Sequence, residues 1–111
     1  MTDSNRAGGN GRAIKVGMIA EQTGPLSIMG LANANVARMV IGDLNAKGCL
    51  LGRQIELYIE DGETNDAAAA AAKAAKLVEQ SQVDVVFGGI YSSTRQAIKQ
   101  QVVVKGRTLY I

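Results

Sequence analysis

The chain has 111 residues, one cysteine, no histidine and a formal net charge of +2, and 47% of its residues are hydrophobic. This length suits one domain or part of one, and the composition is typical of a globular protein. The lack of histidine and of a second cysteine excludes His/Cys metal sites, Ser-His-Asp triads and an internal disulfide, and the small, scattered positive charge argues against nucleic acid as a partner.

The N-terminal segment, residues 1–13, is polar and contains several glycines, so it is predicted to be a disordered leader. It has no apolar core of the kind found in a secretory signal. No apolar run in the chain approaches the roughly 20 residues that a membrane-spanning helix needs. Two alternatives stay open: the protein is cytoplasmic, or a secretory signal was removed from or replaced in this chain.

Four short strands are predicted, at residues 14–20, 53–60, 84–87 and 107–111. The first strand is mostly apolar, which is typical of a central strand covered on both sides. The second alternates polar and apolar residues, which favours a position towards the sheet edge.

Three helices are predicted between these strands, at residues 27–47, 67–81 and 92–105. The first has one apolar stripe at helical spacing and ends before Gly48, a good helix stop. The second contains the alanine block 67–72, whose high helix propensity favours a helix over low-complexity sequence, and Asn65 or Asp66 is its predicted N-cap. The third is weakened at its end by three successive valines. The stripe of the first helix consists of Met29, Ala32, Val36, Val40 and Leu44.

Strands and helices therefore alternate as βαβαβαβ, which predicts an α/β fold with a parallel sheet, right-handed crossovers and helices on both faces. In such sheets ligands bind beyond the carboxyl ends of the strands, near the reversal of strand order. The loops at this rim are residues 21–27, 61–66 and 88–94.

The most informative loop follows the third strand. Gly88 and Gly89 allow a sharp turn, and hydroxyl residues then begin a helix, with Ser92 or Ser93 as the predicted N-cap. A helix N-terminus suits an anion or a carbonyl oxygen, so capping and ligand binding stay equal alternatives for these hydroxyls. Tyr91 is either the aromatic wall of a small pocket or an exposed loop residue.

Other chemistries have weaker support. The first strand is not followed by G-x-G-x-x-G, and a Gly-Lys-Ser/Thr phosphate loop is absent from the sequence. Glu60 and Asp61 could bind a cation or act as acid and base, but a solvated loop or helix cap is favoured for this pair. Cys49 has no histidine to activate it, and Arg95 is predicted to be a surface residue rather than a ligand contact.

Several segments resemble the type I periplasmic solute-binding proteins of the branched-chain amino acid, urea and short-chain amide group. The resemblance covers nearly everything after Ala13. It rests on the order and spacing of the matching segments rather than on any single motif. The segment from Tyr91 to Ile98 is similar to the urea and amide branch, and Tyr91 stands where leucine-type members carry a disulfide cysteine. The matching segments are 14–17, 23–26, 43–48, 51–53, 55–57, 60–61, 76–77, 83–84 and 87–88.

This resemblance implies a non-enzymatic binding protein that holds a small polar ligand between two lobes and delivers it to the membrane permease of an ABC importer. It implies no cofactor and no metal, and the chain would be the first part of the N-terminal lobe, with exposed surfaces that favour a homodimer. Alternatives are a cytoplasmic amide-sensing regulator of the same fold and a small α/β enzyme that uses Glu60 and Asp61. The predicted ligand-binding residues are Ser92, Ser93, Tyr91, Thr94, Gly89 and Thr23.

Overall fold

The computed structural model describes residues 12–63 and 66–111, so most of the predicted leader lies outside the described residues. The predicted alternation of strands and helices is confirmed. The elements are β1 (Ile14–Ala20), α1 (Ser27–Ala46), β2 (Ile55–Asp61), α2 (Ala67–Lys76), β3 (Val85–Gly88), α3 (Ser92–Lys99) and β4 (Leu109–Tyr110).

The four strands form one parallel sheet in the order β2-β1-β3-β4. As predicted, β1 is an interior strand and β2 is an edge strand. Right-handed crossovers in this order put α1 on one face of the sheet and both α2 and α3 on the other, where these two helices pack together. The strand order reverses between β1 and β3, so the carboxyl ends of these two strands define the switch point.

The hydrophobic core lies on the α2 and α3 face. Alanine at two buried α2 positions, Ala70 and Ala74, lets this helix lie close to the sheet. The side chain of Asp66 accepts the N–H of Ala69 at 3.0 Å, which confirms Asp66 as the N-cap of α2. The core residues are Ile19, Ala70, Ala74, Leu77, Val83, Val86, Ile98 and Val102.

Both core-facing helices end in wider π-helical turns, Leu77–Ser81 after α2 and Gln100–Lys105 after α3. The predicted helix ends near residues 81 and 105 are therefore correct, although the last turns are not α-helical. Each π-helical turn buries one apolar residue in the core, Leu77 in the first and Val102 in the second. Within the parts of the chain that the structure describes, no helix is long and apolar enough to cross a membrane.

Helix α1 ends as predicted, since Lys47 is its C-cap and Gly48 follows with a φ of 113°. Its predicted apolar stripe, however, does not face the sheet. The buried residues of α1 are Gly30 and Ala34, because only small side chains permit the close approach. A Cβ atom on Gly30 would lie 1.9 Å from the carbonyl oxygen of Glu21.

Candidate functional site

The candidate site lies at the switch point, where the loop after β1 meets the loop after β3. The N–H of Gly89 donates to the carbonyl oxygen of Ile19 at 3.3 Å. The N–H of Ile90 donates to a carboxylate oxygen of Glu21 at 2.8 Å. These contacts hold the glycine turn against the end of β1.

The glycine pair has backbone angles that favour glycine, since φ is 121° at Gly88 and 93° at Gly89. A Cβ atom on Gly88 would lie 2.1 Å from the carbonyl oxygen of Ile19, and one on Gly89 would lie 3.0 Å from the side chain of Arg95. The backbone of β1 therefore occupies the space where a side chain at Gly88 would lie, and neighbouring side chains crowd the corresponding space at Gly89.

The start of α3 differs from the prediction at one position. The N-cap is Tyr91, with extended backbone angles (φ −75°, ψ 147°) and no side-chain cap hydrogen bond. Ser92 and Ser93 are thus the first helical residues, which agrees with the predicted helix start at residue 92, and neither of them is the predicted N-cap. Both side chains are exposed. The first N–H groups of a helix have no intrahelical partner, so they and the two hydroxyls can bind a ligand.

Thr94 and Glu21 are buried polar residues beside this helix start, each 0% exposed. One oxygen of Glu21 accepts the N–H of Ile90, whereas its Oε1 has no hydrogen-bond partner among the described residues. The same is true of the Thr94 hydroxyl. Thr94 is therefore buried in the first turn of α3 rather than exposed like Ser92 and Ser93, and the sequence predictions missed Glu21. Its signal was a charged residue directly after an apolar strand, at a loop that reaches the switch point.

Tyr110 and Arg95 support the turn from the side of β4. The Tyr110 hydroxyl donates to the carbonyl oxygen of Gly88 at 2.5 Å. The Arg95 guanidinium donates to the carbonyl oxygen of Gly89 at 3.4 Å and lies 5.5 Å from the centre of the Tyr110 ring. Burial raises the pKa of Tyr110, the positive charge of Arg95 opposes this, and the negative charge of Glu21 adds to it.

A shallow cavity of about 300 Å³ adjoins this arrangement. Ser92 is the predicted site residue that lines this cavity. The cavity also has two cationic side chains, Arg95 and Lys99, whose length and charge suit a ligand with acceptor oxygens. The lining residues are Ser92, Arg95, Gln96, Lys99 and Tyr110.

Thr23 is held at the neighbouring part of the rim. Its hydroxyl donates to Asp61, whose other oxygen accepts the N–H of Gln22 at 3.0 Å and that of Glu63 at 2.9 Å. Partial burial of Asp61 raises its pKa, but the hydrogen bonds from Thr23, Glu63 and Gln22, together with the charge of Lys73, outweigh this and lower the pKa overall. The structure thus joins Thr23 to the loop after β2, while the other predicted site residues belong to the loop and helix start after β3.

Glu60 and Asp61 do not form a paired acid site. Successive strand residues point to opposite faces, and Glu60 forms ion pairs with Lys76 at 3.1 Å and Lys73 at 3.7 Å. Asp61 instead accepts the hydrogen bonds of the rim loops. Across residues 12–63 and 66–111, no group of at least three Asp, Glu, Cys or His side chains could hold a metal ion.

The family of the chain follows from a model for periplasmic binding proteins, which matches residues 13–111. This is nearly the whole sequence, so the chain belongs to the periplasmic binding protein family. The resemblance seen in the sequence is confirmed. No curated protein matches the sequence significantly.

Solved structures give the same result for the fold. The branched-chain amino acid transporter substrate-binding protein LivJ from Streptococcus pneumoniae, in complex with isoleucine, has 30% sequence identity and a TM-score of 0.83 over 89% of this chain. A periplasmic binding protein from Burkholderia mallei has 26% identity and a TM-score of 0.76 over 88% of this chain. A leucine-binding protein, LivK, from Thermotoga maritima has 22% identity and a TM-score of 0.71 over 88% of this chain, which shows the fold alone.

The chain spans only a part of these structures, namely 28% of the S. pneumoniae protein, 25% of the B. mallei protein and 27% of the T. maritima protein. The family consists of binding proteins, and the names of two of these relatives refer to branched-chain amino acids or leucine. The predicted preference for amides or urea is not addressed by these matches and stays a prediction.

Proposed function

We propose that this chain forms one wall of the ligand-binding cleft of a periplasmic solute-binding protein that serves an ABC importer. The ligand is a small polar molecule with acceptor oxygens, namely an amino acid, an amide or urea. The start of α3 is the binding element, with Ser92 as the main contact and Gly89, Tyr91, Ser93 and Thr94 around it, while Thr23 contributes from the loop after β1.

One observation carries this proposal: the first turn of α3 begins at the switch point with no side-chain cap. Its N–H groups and the positive end of its dipole lie at this rim, and Ser92 lines the adjoining cavity, an arrangement that favours a carboxylate or carbonyl oxygen. The contacts of Glu21, Tyr110 and Arg95 hold the preceding turn in a fixed shape, which lowers the entropy cost of binding.

The partners in this proposal are the second lobe of the binding protein and the membrane permease of the importer. Closure of the two lobes around the ligand would signal occupancy to the permease. Exposed apolar residues on the uncovered part of the sheet, Phe87, Leu109 and Ile111, support a second suggestion, that the isolated chain self-associates.

The proposal is tested by NMR titration of the 111-residue chain with isoleucine, acetamide and urea in turn. We expect weak binding, with dissociation constants near or above about 1 mM, because a single wall makes few contacts. The shifted N–H signals should be those of residues 89–94. Micromolar affinity would contradict the two-lobe account, and shifts confined to another part of the chain would contradict the site.

Ser92→Ala is the variant that tests the main contact. It should remove the shifts at the start of α3, and in a two-lobed protein containing this chain it should weaken affinity by about 1–3 kcal/mol, because a polar group of the ligand loses its partner. Ser81→Ala is the matched control, since Ser81 lies at the end of the π-helical turn after α2, before the amino end of β3. Equal effects of Ser92→Ala and Ser81→Ala on binding would show that Ser92 does not contact the ligand.

A further inference from the structure

Glu21 is a buried carboxylate without a counter-ion. It is 0% exposed, one of its oxygens accepts the N–H of Ile90 at 2.8 Å, and its Oε1 has no hydrogen-bond partner among the described residues. Within residues 12–63 and 66–111 it also forms no ion pair. A buried carboxylate is costly unless its surroundings supply positive potential.

Two helix starts supply this potential. The backbone of Glu21 lies against the first turn of α1, where a Cβ atom on Gly30 would be 1.9 Å from the Glu21 carbonyl oxygen. Its carboxylate binds the N–H of Ile90, the residue before the N-cap of α3. Neither helix has an acidic residue in its first turn or a side-chain cap hydrogen bond. The positive ends of both helix dipoles therefore lie close to Glu21 and stabilise its charge.

Glu21 thus stands where an α/β sheet commonly binds an anionic ligand, at helix starts beside the switch point. We propose that Glu21 is a specificity-determining residue, through which the rim selects a ligand with an uncharged carbonyl group, such as an amide or urea, over one with a carboxylate. This inference rests on the proposed function. It decides between the two kinds of oxygen, carboxylate and carbonyl, that the start of α3 alone would accept.

Glu21 acts through its charge rather than by contact. Because its carboxylate is enclosed by the chain, a ligand at the rim does not touch it, and solvent and salt screen it little. A carboxylate ligand beside Ser92 is repelled by this charge. A neutral carbonyl oxygen is not repelled and still accepts the N–H groups at the start of α3.

The cations of the neighbouring cavity oppose this selection only in part. Arg95 and Lys99 are both exposed, so solvent and salt screen their charges more strongly than that of Glu21. The Arg95 guanidinium is also hydrogen-bonded to the carbonyl oxygen of Gly89. Asp61, which binds the loop after β1 through the N–H of Gln22, adds a second negative charge at the rim. The uncharged ligand is therefore favoured.

NMR titration of the 111-residue chain with acetamide and with sodium acetate tests the preference, because the two compounds are similar in size and differ in charge. At pH 7 and constant ionic strength, measured on the N–H signals of residues 89–94, acetate should have a dissociation constant at least about tenfold higher than acetamide. Equal affinities at these residues would overturn the inference and leave the proposed site intact. No shift there with either compound would contradict the proposed site, and the preference with it.

Glu21→Gln tests whether Glu21 is the source of the preference. It removes the charge and retains an oxygen that can accept the N–H of Ile90. Acetate should bind at least about tenfold more tightly than to the wild type, whereas the affinity for acetamide should change less than about threefold. Glu79→Gln is the matched control, since it removes one carboxylate from the π-helical turn after α2, before the amino end of β3. An affinity ratio unchanged by Glu21→Gln, or changed equally by Glu79→Gln, would overturn the inference.

Glu21→Ala gives a second readout that does not depend on ligand binding in the wild type. It leaves space for a small carboxylate between the two helix starts, so acetate should bind there and stabilise the variant. We expect a higher unfolding temperature for Glu21→Ala in about 100 mM sodium acetate than in the same concentration of sodium chloride, and no such difference for the wild type. Equal unfolding temperatures of the variant in the two salts would show that Glu21 does not fill an anion site and would overturn the inference.

Discussion

The buried and hydrogen-bonded polar residues at the rim act mainly on the backbone. Glu21 accepts the N–H of Ile90, Tyr110 donates to Gly88, and Asp61 accepts two backbone N–H groups of the rim loops. Each of these side chains satisfies backbone groups in loops that lack a regular partner, and so it fixes the shape of the loop. The exposed hydroxyls of Ser92 and Ser93 are different, because they leave their polar groups available to a ligand.

Asp61→Asn tests the fixed rim loop. We expect a loss of about 1–2 kcal/mol in the free energy of unfolding at pH 7, because hydrogen bonds to a charged acceptor become bonds to a neutral one. Because the pKa of Asp61 is lowered in the folded protein, its carboxylate stabilises the fold at pH values above the usual carboxyl pKa, which is about 4. This stabilisation is lost as the pH falls through the lowered pKa of the folded state.

Urea unfolding of the two proteins between about pH 2 and pH 7 measures this difference. The stabilities of wild type and Asp61→Asn should converge at acidic pH. A difference that stays constant over the whole pH range would show that the charge of Asp61 plays no part.

At the scale of elements, the turn from β3 into α3 decides where the site lies. It needs two successive glycines with positive φ because the carbonyl oxygen of Ile19 occupies the space that a side chain at position 88 would take. The same turn directs the start of α3 towards the switch point. A change in this turn therefore affects both folding and the candidate site.

Gly88→Ala should lower the free energy of unfolding by at least about 2–3 kcal/mol, because both the backbone angle and the contact with β1 become unfavourable. Gly42→Ala is the control, since a Cβ at that position of α1 has nothing within 4 Å. It should be neutral or stabilise the chain by up to about 1 kcal/mol through helix propensity. Thermal unfolding of both variants measures the contrast, and a mild effect of Gly88→Ala would contradict the tight turn.

At the scale of the whole molecule, Tyr110 near the end of the chain is hydrogen-bonded to the glycine turn at the candidate site. The hydroxyl of Tyr110 in β4 reaches Gly88, while Arg95 from α3 lies over the Tyr110 ring. The edge strand thus contributes to the shape of the glycine turn although it is only two residues long. Its stability and that of the site are expected to be linked.

Tyr110→Phe tests this link. We expect a loss of about 0.5–1.5 kcal/mol in the free energy of unfolding and faster amide hydrogen exchange at Gly89 and Ile90. The pKa of Tyr110 is raised in the folded protein, so its neutral hydroxyl stabilises the fold at pH values below the usual tyrosine pKa. This stabilisation is lost as the pH rises through the raised pKa of the folded state. The variant should therefore lose less stability than the wild type above about pH 10. Unchanged amide hydrogen exchange at Gly89 and Ile90 would show that Tyr110 does not stabilise the glycine turn.

Local sequence was sufficient for the elements and their arrangement. The apolar run of β1, the alternation in β2, the alanine block of α2 and the turn glycines are all short-range signals, and the right-handed crossover rule converts their order into a parallel sheet. It was not sufficient for contacts between distant segments. The role of Glu21 depends on Ile90, and that of Tyr110 depends on Gly88, so no local pattern could reveal either.

The sequence by itself determined the α/β alternation, the glycine turn before α3 and, through its resemblance, the family. Only the tertiary structure decided that Tyr91 rather than a serine caps α3, because backbone angles depend on how the turn packs against β1. It also decided which side of α1 faces the sheet. Periodicity shows that a helix has an apolar stripe, but the close approach at Gly30 makes the small-residue side the inner one and leaves the larger apolar side chains outside.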